Sequence, residues 1–442
     1  MAAPSLVANA LAEAFLAGAW EEEALLSRGY RVLDQRPRWL RRLVLQALKR
    51  FETAPPDATV LADALFEAEA LRRAARDLTI RRWIMAEPGM TPAPRTAGFG
   101  VHPLRTAGDV ASWLGLSAGE LAWFADMRGL ERRGAAGALR HYRYRWLRKS
   151  SGGWRLVEAP RARLKAMQRR ILDAVLDPAP PHEAAHGFRR GRSVLSYVAP
   201  HVGQRILLRL DLRDFFASVR ASRVHALFRT LGYPREVARI LTGLCTNAVP
   251  HDAWAHAPAA DTPAEAAERW RARRFYGAPH LPAGAPTSPA LANLAAFRLD
   301  MRLCAASRRA GAEYTRYADD LAFSGGNELA RSAFAFRDLC VEIIAEEGFT
   351  VNARKTRAVR RGARQRLAGL TINARPNVGR VEYERLKAVL HNCVRHGPAS
   401  QNRAQHRSFR AFLEGRVAWV AHVHPKRGEK LSAKLQQIDW SR

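Results

Sequence analysis

Two adjacent carboxylates, Asp319 and Asp320, stand between short apolar runs in YTRYADDLAFSG, residues 314–325. Like charges side by side repel, so something positive must compensate them. Asp tolerates tight turns, and the flanking apolar runs predict a β-hairpin over 314–325 with the acids at its tip. A third acid, Asp211, follows ILLRL inside QRILLRLDLRDFFASV, residues 204–219, which reads as one strong strand. An unpaired charge in such a strand is expensive. An Asp-Asp dipeptide alone is most simply a solvated turn, and Asp211 is what argues otherwise. Three acids delivered from adjacent strand ends would form a hard oxygen site suited to Mg²⁺. Two such ions about 4 Å apart stabilise the attacking and leaving oxygens of an in-line phosphoryl displacement. Asp214 is the weaker acid, suited to capping or to pairing with Arg.

The elements that must position these groups sit in a very basic chain. Its 442 residues include 72 Lys and Arg against 41 Asp and Glu, a net charge of +31. Such a surface repels itself unless it meets a polyanion, and nucleic acid is the usual one. A GC-rich genome could contribute part of the Arg content, but the charge is also clustered. Residues 140–170 hold eleven Arg or Lys and one acid, Glu158, and residues 353–366 hold seven and no acid. A solvated helix face mixes signs; these stretches suit phosphates. Apolar residues make up 48% of the chain, enough for a sizeable core, and the length predicts two to four domains. Cys245, Cys304, Cys340 and Cys393 are isolated, which predicts free thiols in a reducing cytoplasm rather than zinc ligands or disulfides. The amino terminus lacks a basic n-region and reads as an amphipathic helix with Val7, Leu11 and Phe15 on one face. No apolar run of about 18 residues is present, so no membrane partner is expected.

Along the chain, residues 1–90 read as helices, and the Pro-rich stretch 87–98 as a boundary. Residues 110–127 predict a helical pair with Ser117 as an N-cap. Residues 141–160 alternate around Ser-Gly-Gly, a basic β-hairpin. Leu164, Met167, Ile171 and Leu172 have helical spacing. Residues 251–276, rich in Ala, Arg and His, look like a variable insertion. Residues 290–310 predict a helix, 333–348 a helix ended by Gly348, and RLAGLTIN (366–373) another strand. Leu386, Val389, Leu390, Cys393 and Val394 form one apolar stripe; Phe409, Phe412, Leu413, Val417 and Val420 form a second. Strands mixed with helices imply an α+β fold.

The ordered set LRLDLRDFF, LPAGAPTSPALAN, YTRYADDLAFSG, GFTVNARKT and RLAGLTIN resembles the palm motifs of reverse transcriptases, most of all the bacterial retron-type branch. SGGWRLVEAP with LKAMQRRIL, and AAHGFRRGRSVLSYVAPHVGQ, are similar to its upstream fingers segments. The resemblance covers roughly residues 110–395. It implies a right-hand polymerase with an antiparallel palm sheet: a helical amino-terminal extension (1–95), fingers (96–203), palm with remaining fingers elements (204–375) and a helical thumb (376–442). The stretch after Arg375 has room for a thumb and not for a further RNase H or endonuclease domain.

Residue by residue, the resemblance implies that Asp211, Asp319 and Asp320, with the backbone carbonyl of Leu212, hold two Mg²⁺ ions, for which Mn²⁺ could substitute. Phe216 falls where a bulky ring blocks a ribose 2′-OH, with Phe215 the better core member. Arg155 matches the residue that grips the incoming triphosphate. Lys355 sits where the family has a basic residue near the pyrophosphate leaving group. Gly284, Pro286 and Ser288 shape the loop beside the nucleotide, and RLAGLTIN would be the primer grip. Three departures stand out. Ala283 occupies the place of a Gln that touches the dNTP sugar; YVAPH keeps only His201 of the retron Asn-Ala-x-x-His; and Leu-Ala-Gly replaces Val-Thr-Gly at 367–369.

The implied activity is RNA-directed DNA polymerisation from dNTPs, in the bacterial cytoplasm. The retron resemblance adds a structured noncoding RNA as template and primer, a guanosine 2′-OH start, a branched RNA–DNA product (msDNA), a role in anti-phage defence and an effector protein partner. Two alternatives remain at this point: a reverse transcriptase of the abortive-infection or group II intron kind, and a noncatalytic RNA-binding scaffold on a polymerase fold.

Overall fold

A computed structural model describes residues 3–52, 55–74, 78–85, 89–131, 140–148, 154–260 and 262–441. The chain forms two compact units, Met1–Thr91 and Pro92–Arg442.

In the first unit, Val7, Leu11 and Phe15 recur at helical spacing and are fully buried along α1 (Pro4–Leu16). Their core is completed by Leu25 and Val32 of α2 (Glu22–Leu33), Leu40 and Val44 of α3 (Arg38–Arg50), Leu61 and Leu65 of α4 (Ala58–Glu67) and Leu71 of α5 (Glu69–Ala74). Asp57 caps α4 by accepting from the Thr59 and Val60 N–H groups. Residues 1–91 contain 13 basic and 12 acidic side chains, so almost all of the excess positive charge lies in the second unit.

That unit begins with α6 (Ala107–Leu114) and α7 (Ala118–Phe124), each opened by a capping box, Thr106 with Asp109 and Ser117 with Glu120. Strands β1 (Tyr142–Arg148) and β2 (Trp154–Pro160) pair antiparallel, Tyr142 opposite Pro160. The Ser-Gly-Gly expected to turn between them lies outside the described residues. Leu164, Met167 and Ile171 are buried on α8 (Ala162–Ile171), which runs on as a π-helical turn, Leu172–Leu176. α9 (Val194–Val198) precedes β3 (Ile206–Asp211).

The strand expected over 204–219 ends at Asp211. The backbone leaves the ladder there, because the Leu212 N–H donates to the Asp319 carbonyl (2.8 Å) and the Arg213 N–H to Thr350 (2.7 Å). Asp214 then takes a left-handed conformation, φ 48°, and α10 (Phe215–Ser218) begins. Next come α11 (Ala221–Thr230), α12 (Arg235–Cys245) and α13 (Pro263–Tyr276), the last within the Arg-rich insertion. The single helix expected over 290–310 is two, α14 (Ser288–Ala295) and α15 (Phe297–Arg309), divided at Ala296.

β4 (Ala312–Tyr317) and β5 (Asp320–Gly325) form the expected hairpin. After α16 (Asn327–Glu346), Gly348 turns the chain with φ +79°, and β6 (Arg357–Arg360) completes an antiparallel sheet of order β4-β5-β3-β6. Alternation sends Leu208, Phe323 and Tyr314 to one face, where Phe323 meets Phe336 of α16. Leu207 and Ala322 point to the other face, into a core shared with α17 (Arg380–His396), α18 (Phe409–Val423) and α19 (Pro425–Gln436). Leu386, Leu390 and Cys393 of the first stripe and Leu413, Val417 and Val420 of the second are buried there.

RLAGLTIN is not one strand. β7 (Arg366–Leu367) folds back on β8 (Leu370–Thr371) through Ala368 and Gly369, with φ 46° and 83°. Positive φ at both central residues is the two-residue turn that matches strand twist. The four cysteines are free thiols, and burial pushes Cys245 up to about 12. No described helix is long and apolar enough to cross a membrane.

Candidate active site

Asp211 ends β3 directly opposite Asp320, which begins β5. Facing residues of an antiparallel pair project to the same side, so sheet register alone puts these carboxylates together. Asp319 joins them from the β4–β5 turn, clamped by the Leu212 bond described above. Asp211, Leu212, Asp319 and Asp320 therefore form one patch.

The acids have basic neighbours. Lys355 Nζ donates to Asp211 Oδ1 (2.8 Å) and Asn352 Nδ2 to Asp211 Oδ2 (3.1 Å). Arg209, two residues before Asp211 on the same face, donates to Asp320 Oδ1 at 3.3 Å. Burial raises the Asp319 carboxyl above its ordinary range, and Asp211 and Asp320 raise it further. Burial also raises Asp320, opposed by Arg209. Among the described residues no three acids, histidines or cysteines are gathered in metal-holding geometry; Asp211 turns to Lys355 and Asn352, and Asp320 turns to Arg209. The donor chemistry nevertheless fits a hard divalent cation: three carboxylates and a backbone carbonyl, with two of the acids destabilised by burial.

A buried buttress shapes the turn that carries Asp319. Arg316, on the opposite face of β4, donates to Asp300 through Nε (2.8 Å) and Nη2 (2.6 Å), and through Nη1 to Asn293 Oδ1 (2.9 Å) and the Ala318 carbonyl (3.1 Å). Ala318 is left-handed, φ 56°. Gly187 lies against it so closely that a Cβ there would stand 2.6 Å from the Ala318 nitrogen. Asn293 Nδ2 donates to the Gly187 carbonyl (2.9 Å), joining both supports. On the acid-bearing face, buried His201 bridges Ser324 Oγ and Thr315 Oγ1, each at 2.7 Å.

Of the remaining predicted residues, Arg155, Ala283 and Gly284 form a second group. Gly284, φ +142°, packs so that a Cβ would be 2.7 Å from the Glu158 carbonyl, which requires glycine. The Glu158 N–H donates to the Ala283 carbonyl (3.1 Å). The Glu158 carboxylate, wholly buried, meets His280 Nε2 at 2.9 Å and accepts from Asn247 Nδ2 at 2.7 Å. These contacts fasten β2, and with it exposed Arg155, to the Ala283–Gly284 loop. Phe216 is half-buried between Phe188 and Phe215, with centroids 6.1 and 5.6 Å away, and Phe215 is buried. Asp214 accepts from the Tyr276 hydroxyl at 3.3 Å and pairs with Arg213. Sequence reasoning missed Arg209, Asn352, Arg316, Asp300 and Gly187. Arg316 carried a usable signal: a charge inside an apolar strand, the same feature that singled out Asp211.

Comparison with known proteins identifies the family. A family model described as reverse transcriptase (RNA-dependent DNA polymerase) matches residues 147–393. The chain is 40% identical over 345 residues to the retron Mx65 reverse transcriptase of Myxococcus xanthus, covering 76% of this chain and 73% of that one. It is 33% identical over 362 residues to the retron Mx162 reverse transcriptase of the same organism, covering 78% and 69%. The retron Ec86 reverse transcriptase of Escherichia coli is 31% identical over 239 residues, covering 54% and 65%. The chain therefore belongs to the retron reverse transcriptases, and its activity is RNA-directed DNA polymerisation.

Proposed function

We propose that this enzyme copies a structured noncoding RNA, which also primes synthesis from a guanosine 2′-OH, into a branched RNA–DNA product, msDNA. The same reading assigns the product to anti-phage defence together with an effector protein. Residues 204–375 act as the palm, 96–203 as fingers, 376–442 as thumb, and 1–95 as a helical extension. The observation that carries the reading is the register of β3 on β5, with Asp211 opposite Asp320 and Asp319 in the adjoining turn.

Asp211, Asp319, Asp320 and the Leu212 carbonyl would hold Mg²⁺, two ions in this reading and replaceable by Mn²⁺, which when bound supplies positive charge to the reacting phosphate oxygens. The chain's own groups do the rest, chiefly by positioning. A primer hydroxyl attacks the α-phosphate of a dNTP and pyrophosphate leaves. Arg155 grips the triphosphate. Gly284 lets its loop approach β2, and Ala283 presents backbone rather than a polar side chain to the sugar. Phe216 fills the space a 2′-OH would need. Lys355, now on Asp211, is positioned to shift toward the leaving group and protonate it.

The test is Asp319→Asn in the full chain. Incorporation of dNTPs on an RNA template should be abolished while RNA remains bound. Incorporation at the wild-type rate overturns the reading.

A further inference from the structure

The insertion helix α13 is not buried at any residue along its 14-residue length. It nevertheless has two distinct sides. Glu265, Arg269, Ala272 and Tyr276, spaced at i, i+4, i+7 and i+11, are partly covered, whereas Ala267, Trp270, Arg271 and Arg274 form an exposed stripe. The covered side is anchored. Ala272 and Tyr276 pack against Leu156 and Trp254, and Arg273 meets His251 Nδ1 at 2.6 Å. Arg220 donates to the Phe275 carbonyl (2.7 Å). Two anchors lead to the residues just after Asp211: Tyr276 to Asp214, and Glu268 to Arg213 at 3.6 Å.

On the open side, Trp270 is 65% exposed. Among the described residues, neither Arg271 nor Arg274 has a hydrogen-bond or ion-pair partner. An indole held out to water beside two unpaired guanidinium groups, on an element tied through Tyr276 and Glu268 to the residues just after Asp211, is the composition of a single-strand nucleic-acid platform: stacking on a base and charge on the flanking phosphates. A protein partner would need a wider apolar surface than one Trp and one Ala. A duplex would offer no unpaired base to stack.

We infer that α13 binds the uncopied RNA template, stacking Trp270 on an unpaired base while Arg271 and Arg274 contact its phosphates. The assignment to template rests on the polymerase reading: behind the insertion point the template is paired with product, and ahead of it the template is the unpaired strand. Arg155, which grips the nucleotide in that reading, is the neighbour of Leu156, whose cluster includes Tyr276 of α13.

The test uses the full chain and two RNA template–DNA primer duplexes. One carries a 5′ RNA overhang of about ten nucleotides; the other is blunt at the primer 3′ end. Trp270→Ala should weaken binding to the overhang substrate about tenfold, the size of one base–aromatic stack, and leave blunt-duplex binding within about twofold. Trp270→Phe should recover most of the loss. Arg271→Ala with Arg274→Ala should reduce the dependence of log K on log salt by about 1.4 on the overhang substrate, two single-strand phosphate contacts. Equal loss on both substrates, no loss on either, or no recovery by Trp270→Phe overturns the inference. Wild-type dNTP incorporation is read in parallel. Incorporation with unaltered overhang binding by Trp270→Ala defeats this inference alone, whereas no incorporation by wild type defeats the polymerase reading itself.

Discussion

Arg316 and Asp300, both fully buried, meet through two hydrogen bonds on the side of the sheet away from Asp211 and Asp320. The same guanidinium holds the Ala318 carbonyl, so an ion pair on one face sets the backbone of a turn that presents Asp319 on the other. Breaking such a pair leaves an uncompensated buried charge. Arg316→Ala should cost about 3–5 kcal/mol of stability in urea denaturation. Arg316→Lys keeps the charge but cannot span Asp300, Asn293 and Ala318 together. It should lose less stability and still lose dNTP incorporation. A Lys variant with wild-type incorporation would show that Ala318 does not need this support.

Gly187 closes the same turn from the other direction. A methyl group would press on the Ala318 nitrogen and the Tyr317 carbonyl carbon, both backbone atoms that cannot rotate away. Gly187→Ala should destabilise the chain by about 1–3 kcal/mol, measured by thermal or urea unfolding, with incorporation reduced at temperatures where the chain is still folded.

Phe216 is wedged between Phe188 and Phe215. That packing limits its freedom to yield to an added hydroxyl. Phe216→Ala should lower the preference for dNTP over NTP by at least about tenfold, read as a ratio of kcat/KM values. An unchanged ratio would assign Phe216 to packing alone.

His201 makes stability pH-dependent. Burial pushes its imidazole from an ordinary 6.5 down to about 3. Between those values the unfolded chain binds a proton that the folded chain refuses. The contribution is therefore fully present above about pH 6.5 and is lost as pH falls toward 3. Near pH 5 this one group steepens the rise of stability with pH by about 1.4 kcal/mol per unit. Equilibrium unfolding of His201→Asn across pH 4 to 7, roughly the window concerned, should show a slope smaller by that amount. His186, lowered to about 4, adds a second acid-sensitive group that the variant leaves in place.

The amino-acid sequence by itself determined the periodic parts of this protein. Val7, Leu11 and Phe15 defined α1, two apolar stripes defined the buried faces of α17 and α18 except at Phe412, which is exposed, and apolar runs around Asp319 and Asp320 defined a hairpin. It also carried the family, because ordered motifs survive in the chain as letters. Local reading failed where tertiary contacts override pattern. β3 stops at Asp211 because Leu212 and Arg213 bond to distant backbone, and 366–373 folds on itself at Ala-Gly instead of running straight. Only the tertiary structure decided what answers the acids. Lys355 and Asn352 reach Asp211 across more than a hundred residues, Arg209 reaches Asp320, and Asp300 neutralises Arg316 beneath them. Such partners are set by sheet register and packing, and the distance between two charges in a folded chain is not written in their separation along it.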